Sequence, residues 1–103
     1  MTYGVQVDVT APVEMYDALH AEVVRVTEAR VEGLLLHIGR RTADGFRVIE
    51  VWDAKESYDR YNREVVWPAA ARLSEGRSGA QPAMHEEEFE VRGLVLPGTH
   101  LVT

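Results

Sequence analysis

Two neighbouring segments of this chain are apolar along almost their whole length, and they constrain the fold more than any other feature. Residues 34–38 read Leu-Leu-Leu-His-Ile, and residues 46–52 read Phe-Arg-Val-Ile-Glu-Val-Trp. Short runs rich in branched and aromatic residues are typical of β-strands. The Asp44-Gly45 pair suits a tight turn. We therefore predict a hairpin made of strands over residues 34–39 and 46–52.

The segments on either side of this hairpin predict a strand followed by a helix, and then a helix followed by a strand. Alternating valines predict a first strand over residues 3–9. A first helix is predicted over residues 11–28, because apolar residues recur there every three or four positions. The stripe expected to face the core consists of Met15, Leu19, Val23 and Val26.

A second helix is predicted over residues 53–74, with an irregularity between residues 64 and 67. Pro68 lacks a backbone N–H and cannot pair with the carbonyl of the preceding turn. Residues 74–84 are expected to form a loop, residues 86–96 the last strand, and residues 97–103 a C-terminal tail.

The resulting order, β-α-β-β-α-β, predicts a single α+β domain over residues 1–103 with a ferredoxin-like sandwich fold. Strict alternation places Leu34, Leu36 and Ile38 on one face of the second strand, and Leu35 and His37 on the other. Strands that are apolar on both faces are usually buried on both faces. The helices of one short chain cover only one face of the sheet. We therefore predict a homodimer that packs sheet against sheet, with about 25 cal/mol gained per Å² of apolar surface buried.

The composition argues against several classes of partner. The chain has 17 acidic and 11 basic residues and a formal net charge of -6. This balance disfavours nucleic acids and anionic membranes as partners. The absence of cysteine excludes disulfides and thiolate chemistry. No apolar run approaches the roughly 20 residues of a membrane span, and the N-terminal residues do not resemble a signal peptide, so we expect a cytoplasmic protein.

The hairpin and its surroundings also resemble a known superfamily. The stretch GLLLHIGRRTADGFRVIEVWDAKESYDRYNREVVWPAA and the later EEFEVRGLVLP are similar to the dimeric α/β-barrel superfamily, which contains antibiotic-biosynthesis monooxygenases. The shared motifs are a G-x-L-x-H strand, a turn with Asp-Gly before an aromatic residue, a Val-Trp-acidic helix entry and a late proline in the second helix.

This resemblance implies a pocket in each subunit between the sheet and the helices. Members of the superfamily include cofactor-independent monooxygenases, polyketide cyclases, isomerases and heme-degrading enzymes. Heme-degrading members carry a tryptophan and a histidine on the second helix, whereas the matching positions here hold Tyr61 and Ala71. The resemblance therefore implies oxygenation, cyclisation or isomerisation of an aromatic or polyketide-like metabolite, and we expect no cofactor and no metal. The alternative is a non-catalytic binder of small molecules.

His37 and Glu50 are the candidate catalytic residues. A histidine on an apolar strand is desolvated, which favours the neutral ring, and a neutral imidazole can act as a general base. Glu50 lies on the adjacent strand and could orient the ring. The alternatives are a structural histidine bonded to a neighbouring group, and a salt bridge from Glu50 to Arg47 or Arg41.

The candidate substrate-binding residues lie at several positions along the chain. The tyrosines among them carry hydroxyls that need partners if they are buried, and Tyr61 also matches the superfamily's functional aromatic position. The alternatives are ordinary core packing for the aromatic residues and an ion pair with Glu90 for the arginine. The set comprises Tyr61, Trp52, Tyr58, Gln6 and Arg92.

Overall fold

A four-stranded antiparallel sheet forms the centre of the chain, with its strands in the order β2-β3-β1-β4. The structure is a computed structural model, and it describes residues 2–74 and 82–97. Most of the predicted loop at residues 74–84 and nearly all of the predicted tail at 97–103 lie outside the described residues. The strands are β1 (Tyr3–Thr10), β2 (Leu34–Arg41), β3 (Phe46–Trp52) and β4 (Ala83–Phe89).

The helices connect these strands in the predicted order. Helix α1 (Val13–Thr27) follows β1, and helices α2 (Lys55–Tyr61) and α3 (Trp67–Leu73) lie between β3 and β4. A π-helical segment, Asn62–Val66, joins α2 to α3. The arrangement confirms the α+β ferredoxin-like fold predicted from the sequence.

The π-helical segment lies where Pro68 was predicted to disturb the second helix. The N–H of Trp67 bonds to the carbonyl of Asn62, five residues earlier. In a regular α-helix the ring of Pro68 would clash with the carbonyl four residues earlier. The wider π-helical turn avoids this clash. The helix therefore continues past the proline instead of ending there.

The core lies between the helices and one face of the sheet, which we call the helix-facing side. Its centre consists of Val5, Trp52 and Tyr58, of which Trp52 is fully buried. The predicted stripe on α1 was partly wrong, because Met15 and Val26 are 43% and 44% exposed. The helix is rotated so that Tyr16, Leu19 and Val23 turn towards the sheet. This rotation covers the sheet with the larger ring of Tyr16.

The alternation predicted for β2 is interrupted at its start. A register shift between Leu34 and Leu36 places Leu34 opposite Trp52 and Leu36 opposite Val51. Leu34 therefore joins His37 on the helix-facing side, whereas Leu36 and Ile38 lie on the other face. A bulge of this kind inserts one extra residue and so reverses the side-chain alternation.

The last strand begins and ends earlier than predicted. β4 pairs with β1 from Ala83 opposite Thr10 to Phe89 opposite Gly4, so it ends at Phe89 and not near residue 96. Every residue of β4 is exposed. An edge strand with polar residues lacks the apolar alternation by which its bounds could be recognised.

The second face of the sheet carries no helix, and we call it the open face. An apolar patch on this face consists of Leu36, Ile38, Ile49, Val51 and Phe89. Ile38 is 44% exposed and Phe89 38% exposed. The Phe89 ring lies against Gly4, where a Cβ atom would overlap it.

Candidate active site

His37 and Glu50 lie directly opposite each other on β2 and β3, on the helix-facing side. The Nδ1 atom of His37 is 2.7 Å from Oε2 of Glu50. The side chain of Glu50 is only 7% exposed, and that of His37 is 21% exposed. The indole N–H of Trp52 donates to the other carboxylate oxygen of Glu50 at 3.1 Å. Both oxygens of this buried carboxylate therefore have a hydrogen-bond donor, as a buried charge requires.

The bond to Glu50 determines which nitrogen of His37 carries the proton. An ionised carboxylate only accepts hydrogen bonds, so Nδ1 must donate, and Nε2 of the neutral ring is left with its lone pair. The hydroxyl of Tyr16 is 2.8 Å from Nε2. In this tautomer the hydroxyl is therefore the donor and Nε2 the acceptor. The three residues form a directional chain from Tyr16 through His37 to Glu50, which we call the proton chain.

Tyr16 reaches His37 because β2 has a glycine beneath its ring. A Cβ atom on Gly39 would overlap the ring of Tyr16. Phe46 packs against the other part of the ring, with ring centroids 5.5 Å apart. Burial and the negative charge of Glu50 raise the pKa of the Tyr16 hydroxyl, which keeps it protonated as a donor.

The sequence reasoning missed Tyr16. The apolar stripe predicted to face the core on α1 included Met15, whose side chain is exposed, instead of Tyr16. The available signal was Gly39, two residues after His37 and so on the same face of β2. A glycine there indicates that a large side chain from another element approaches the strand.

Tyr61 lies beside the proton chain and has an unused hydroxyl. Its ring packs on Trp52 with centroids 5.0 Å apart. Burial, followed by the charge of Glu50, raises the pKa of Tyr61. Within residues 2–74 and 82–97 its hydroxyl makes no hydrogen bond. Tyr61 is thus able to donate to a ligand.

Trp52 and Tyr58, two other predicted substrate-binding residues, are held within the protein. Trp52 is fully buried and supports Glu50. Tyr58 is buried and donates its hydroxyl to Oε2 of Glu86 at 2.7 Å. The N–H of Trp52 and the hydroxyl of Tyr58 are thus both used in hydrogen bonds within the protein, and neither is available to donate to a ligand.

Gln6 and Arg92 do not lie with the proton chain. Gln6 pairs with Ile49 and Glu87 and points to the open face. Arg92 is exposed and donates to Glu90 at 3.1 Å. The alternative from the sequence, a pair between Arg92 and Glu90, is the one observed. Arg47 pairs with Asp8 on the open face, so it is not the partner of Glu50.

The helix-facing side is lined by carboxylates and phenols. Glu86 and Glu88 of β4 lie on the same side as Glu50. No Lys or Arg in the described part of the chain forms an ion pair with any of these three glutamates. This electrostatic environment disfavours an anionic ligand.

A separate open cleft of about 390 Å³ lies at the start of α1. Residues 10–14 and 41–45 line it, and His37 does not. Within the described residues, no group of three or more His, Asp or Glu side chains is arranged to hold a metal ion. In the same part of the chain, every helix is too short or too polar to span a membrane.

The fold matches solved structures whose sequences are only distantly similar. SnoaB, a cofactor-independent oxygenase from Streptomyces nogalater, is 21% identical, with a TM-score of 0.58 over 93% of this chain and 95% of that one. A candidate antibiotic biosynthesis monooxygenase from Chloroflexus aurantiacus is 22% identical, with a TM-score of 0.56 over 100% of both chains. A ferredoxin-like dabb family protein from Mesorhizobium loti is 13% identical, with a TM-score of 0.54 over 89% of this chain and 98% of that one.

This chain has the fold of the antibiotic-biosynthesis-monooxygenase-like proteins. The structure thus agrees with the superfamily resemblance at the level of fold. The sequence matches no family profile and no curated protein. Identities this low carry the fold and not the reaction, so the chemistry of the site must be argued from its own residues.

We expect Glu50→Gln to move the proton of the neutral His37 ring from Nδ1 to Nε2. Trp52 can only donate, so the new amide oxygen would accept from Trp52 and the new NH₂ would donate to Nδ1 of His37. Nδ1 must then be unprotonated, and the neutral ring carries its proton on Nε2. Ring-nitrogen NMR distinguishes the two tautomers. Glu86→Gln is the matched control and should leave His37 unchanged; the same tautomer in Glu50→Gln and the unsubstituted protein would contradict the assignment.

Proposed function

We propose that this chain is a cofactor-independent enzyme that removes a proton from a small aromatic or polyketide-like metabolite. The observation that supports this most strongly is the proton chain from Tyr16 through His37 to Glu50. In this chain the unprotonated Nε2 of His37 faces Tyr16, and Nδ1–H donates to the buried carboxylate of Glu50, which stabilises the imidazolium that forms when the ring takes a proton.

The proposed step transfers two protons in the same direction. The substrate O–H or acidic C–H gives its proton to the oxygen of Tyr16, and Tyr16 gives its own proton to Nε2 of His37. The products are a substrate anion, a neutral tyrosine and an imidazolium paired with Glu50. Because Tyr16 is neutral before and after the step, its raised pKa does not oppose the transfer.

The substrate anion accounts for all three reaction types that the resemblance implies. A carbanion or phenolate stabilised by an aromatic ketone can reduce dioxygen directly, which leads to oxygenation. The same anion can attack a carbonyl within the molecule, which leads to cyclisation, or be reprotonated elsewhere, which is isomerisation. Dioxygen is the oxidant in the first case, and the other two need none.

The surroundings of the proton chain favour a neutral substrate. Glu50, Glu86 and Glu88 would repel a carboxylate or phosphate, and no lysine or arginine in the described residues pairs with any of them. Tyr61 can donate its hydroxyl to the substrate oxygen and so hold the ring beside Tyr16. An uncharged phenolic ketone fits these requirements.

One observation favours a second function, namely non-catalytic binding of the same kind of molecule. Both ring nitrogens of His37 already have partners, Tyr16 and Glu50, as in a structural buried histidine. A binder would need no proton transfer, and its affinity would depend on the aromatic group rather than on His37.

Turnover of anthrone, a neutral tricyclic ketone with an acidic methylene, separates the two functions. We expect conversion with dioxygen to anthraquinone and water, and a loss of about 10²–10⁴-fold in His37→Gln and in Tyr16→Phe, since each removes a group that moves the proton. His85→Gln, on the exposed strand β4, is the matched control for the histidine. Binding of anthrone without turnover by the unsubstituted protein, or equal turnover in His37→Gln, would contradict catalysis through this chain.

We also infer that the protein is a homodimer that pairs through the apolar patch on the open face. Four of the five patch residues come from β2 and β3. In the single chain Ile38 and Phe89 are more than a third exposed, whereas Val51 is already buried. Exposed apolar patches of this kind usually mark an interface. The sheet of one chain can pack against the same sheet of a second chain about a two-fold axis, which is the symmetry of most homodimers.

Ile38→Glu should convert this dimer to a monomer, because it places a charge within the patch. Val24→Glu is the matched control, since Val24 is 39% exposed but lies on α1. Sedimentation velocity at micromolar concentration measures the outcome. A monomer for the unsubstituted protein, or a dimer that survives Ile38→Glu, would contradict the inference.

A further inference from the structure

We infer that His20 connects the proton chain to solvent, so that a proton received by His37 leaves through Tyr16 and His20. This inference rests on the proposed function, because it concerns how the base is restored after it has been used. It assigns a role to a residue that the sequence reasoning did not select.

His20 is placed to receive a proton from Tyr16. It lies one helical turn after Tyr16 on α1, and its Nδ1 atom is 3.4 Å from the Tyr16 hydroxyl. The ring is exposed to solvent, whereas Glu50 at the other end is buried. The rings of His20 and Tyr16 are stacked with centroids 5.4 Å apart, and this packing holds the two side chains next to each other.

Both histidines lie near the Tyr16 hydroxyl, His37 on the buried side and His20 on the exposed side. His20 and His37 also stack, with centroids 5.4 Å apart and an interplanar angle of 18°. The other charged or titratable groups near Tyr16 are Glu50, Asp17 and Tyr61.

The return step conserves protons and leaves Tyr16 unchanged. The imidazolium of His37 gives its Nε2 proton to the Tyr16 oxygen, and Tyr16 gives its hydroxyl proton to Nδ1 of His20. His37 is neutral again, and His20 is an imidazolium that releases its proton to water. The 3.4 Å separation must shorten during the transfer, as catalytic hydrogen bonds commonly do.

Exchange of the Tyr16 hydroxyl proton with water tests this path without any substrate. The proton is held between an oxygen and a ring nitrogen, and NMR follows its exchange in the intact protein. We expect His20→Ala to slow the exchange about tenfold or more, because the general base at the exposed end is lost. Free imidazole added to His20→Ala should restore the rate, since it supplies the missing acceptor at an exposed position.

His85→Ala is the matched control and should exchange at the original rate. Unchanged or faster exchange in His20→Ala, equal slowing in both variants, or no rescue by imidazole would overturn the inference. Since this measurement uses no substrate, a failure to turn over anthrone would contradict the proposed function alone. Slowed exchange with rescue would still establish the path.

Discussion

The burial of one carboxylate, that of Glu50, determines how the rest of the helix-facing side is arranged. Removing a carboxylate from water costs on the order of several kcal/mol unless donors replace the lost water. Trp52 and His37 are those donors. Once His37 commits Nδ1 to the carboxylate, Nε2 becomes an acceptor, and Tyr16 supplies its proton. A single desolvated charge thus orders three elements: β3, β2 and α1.

The same pairing of strands separates the two tasks that we propose, proton transfer and dimerisation, between the two faces of the sheet. Residues opposite one another across β2 and β3 alternate between the helix-facing side and the open face. His37 and Glu50 lie on the first, and Ile38 and Ile49 on the second. The side covered by helices is polar enough to carry out proton transfer. The uncovered face is apolar enough to pack against a second sheet, and the two roles share no side chain.

Some of this could be predicted from the sequence because it follows from simple periodicity. The pairing of His37 with Glu50 requires only a hairpin and alternation along β3, and both were apparent. Tyr16 was missed because Met15 and Tyr16 are adjacent, and a rotation of α1 by one residue exchanges them. The bulge near Leu34 leaves no periodic signal. The alternation in β1 likewise does not reveal which face the helices cover, so the face that carries Gln6 could not be predicted.

The bounds of β4 were unpredictable for a related reason. Its residues are exposed, and its pairing with β1 ends with Phe89 opposite Gly4. The sequence pattern of a strand arises from the alternation of buried apolar and exposed polar residues. An exposed edge strand lacks this alternation, so its bounds are hard to predict. The proton chain shows the converse, since Tyr16, His37 and Glu50 are all at least partly buried. His20, which no sequence pattern indicated, is exposed.

A neutron structure of the unsubstituted protein near neutral pH would test the central claim most directly, because it locates protons. We expect one deuterium on Nδ1 of His37 facing an ionised Glu50, and one on the Tyr16 oxygen facing Nε2. A deuterium on Nε2 of His37 with a bare Nδ1, or on Glu50 itself, would reverse the direction of the chain. His37 could not then accept a proton at Nε2, and the proposed chemistry would be contradicted.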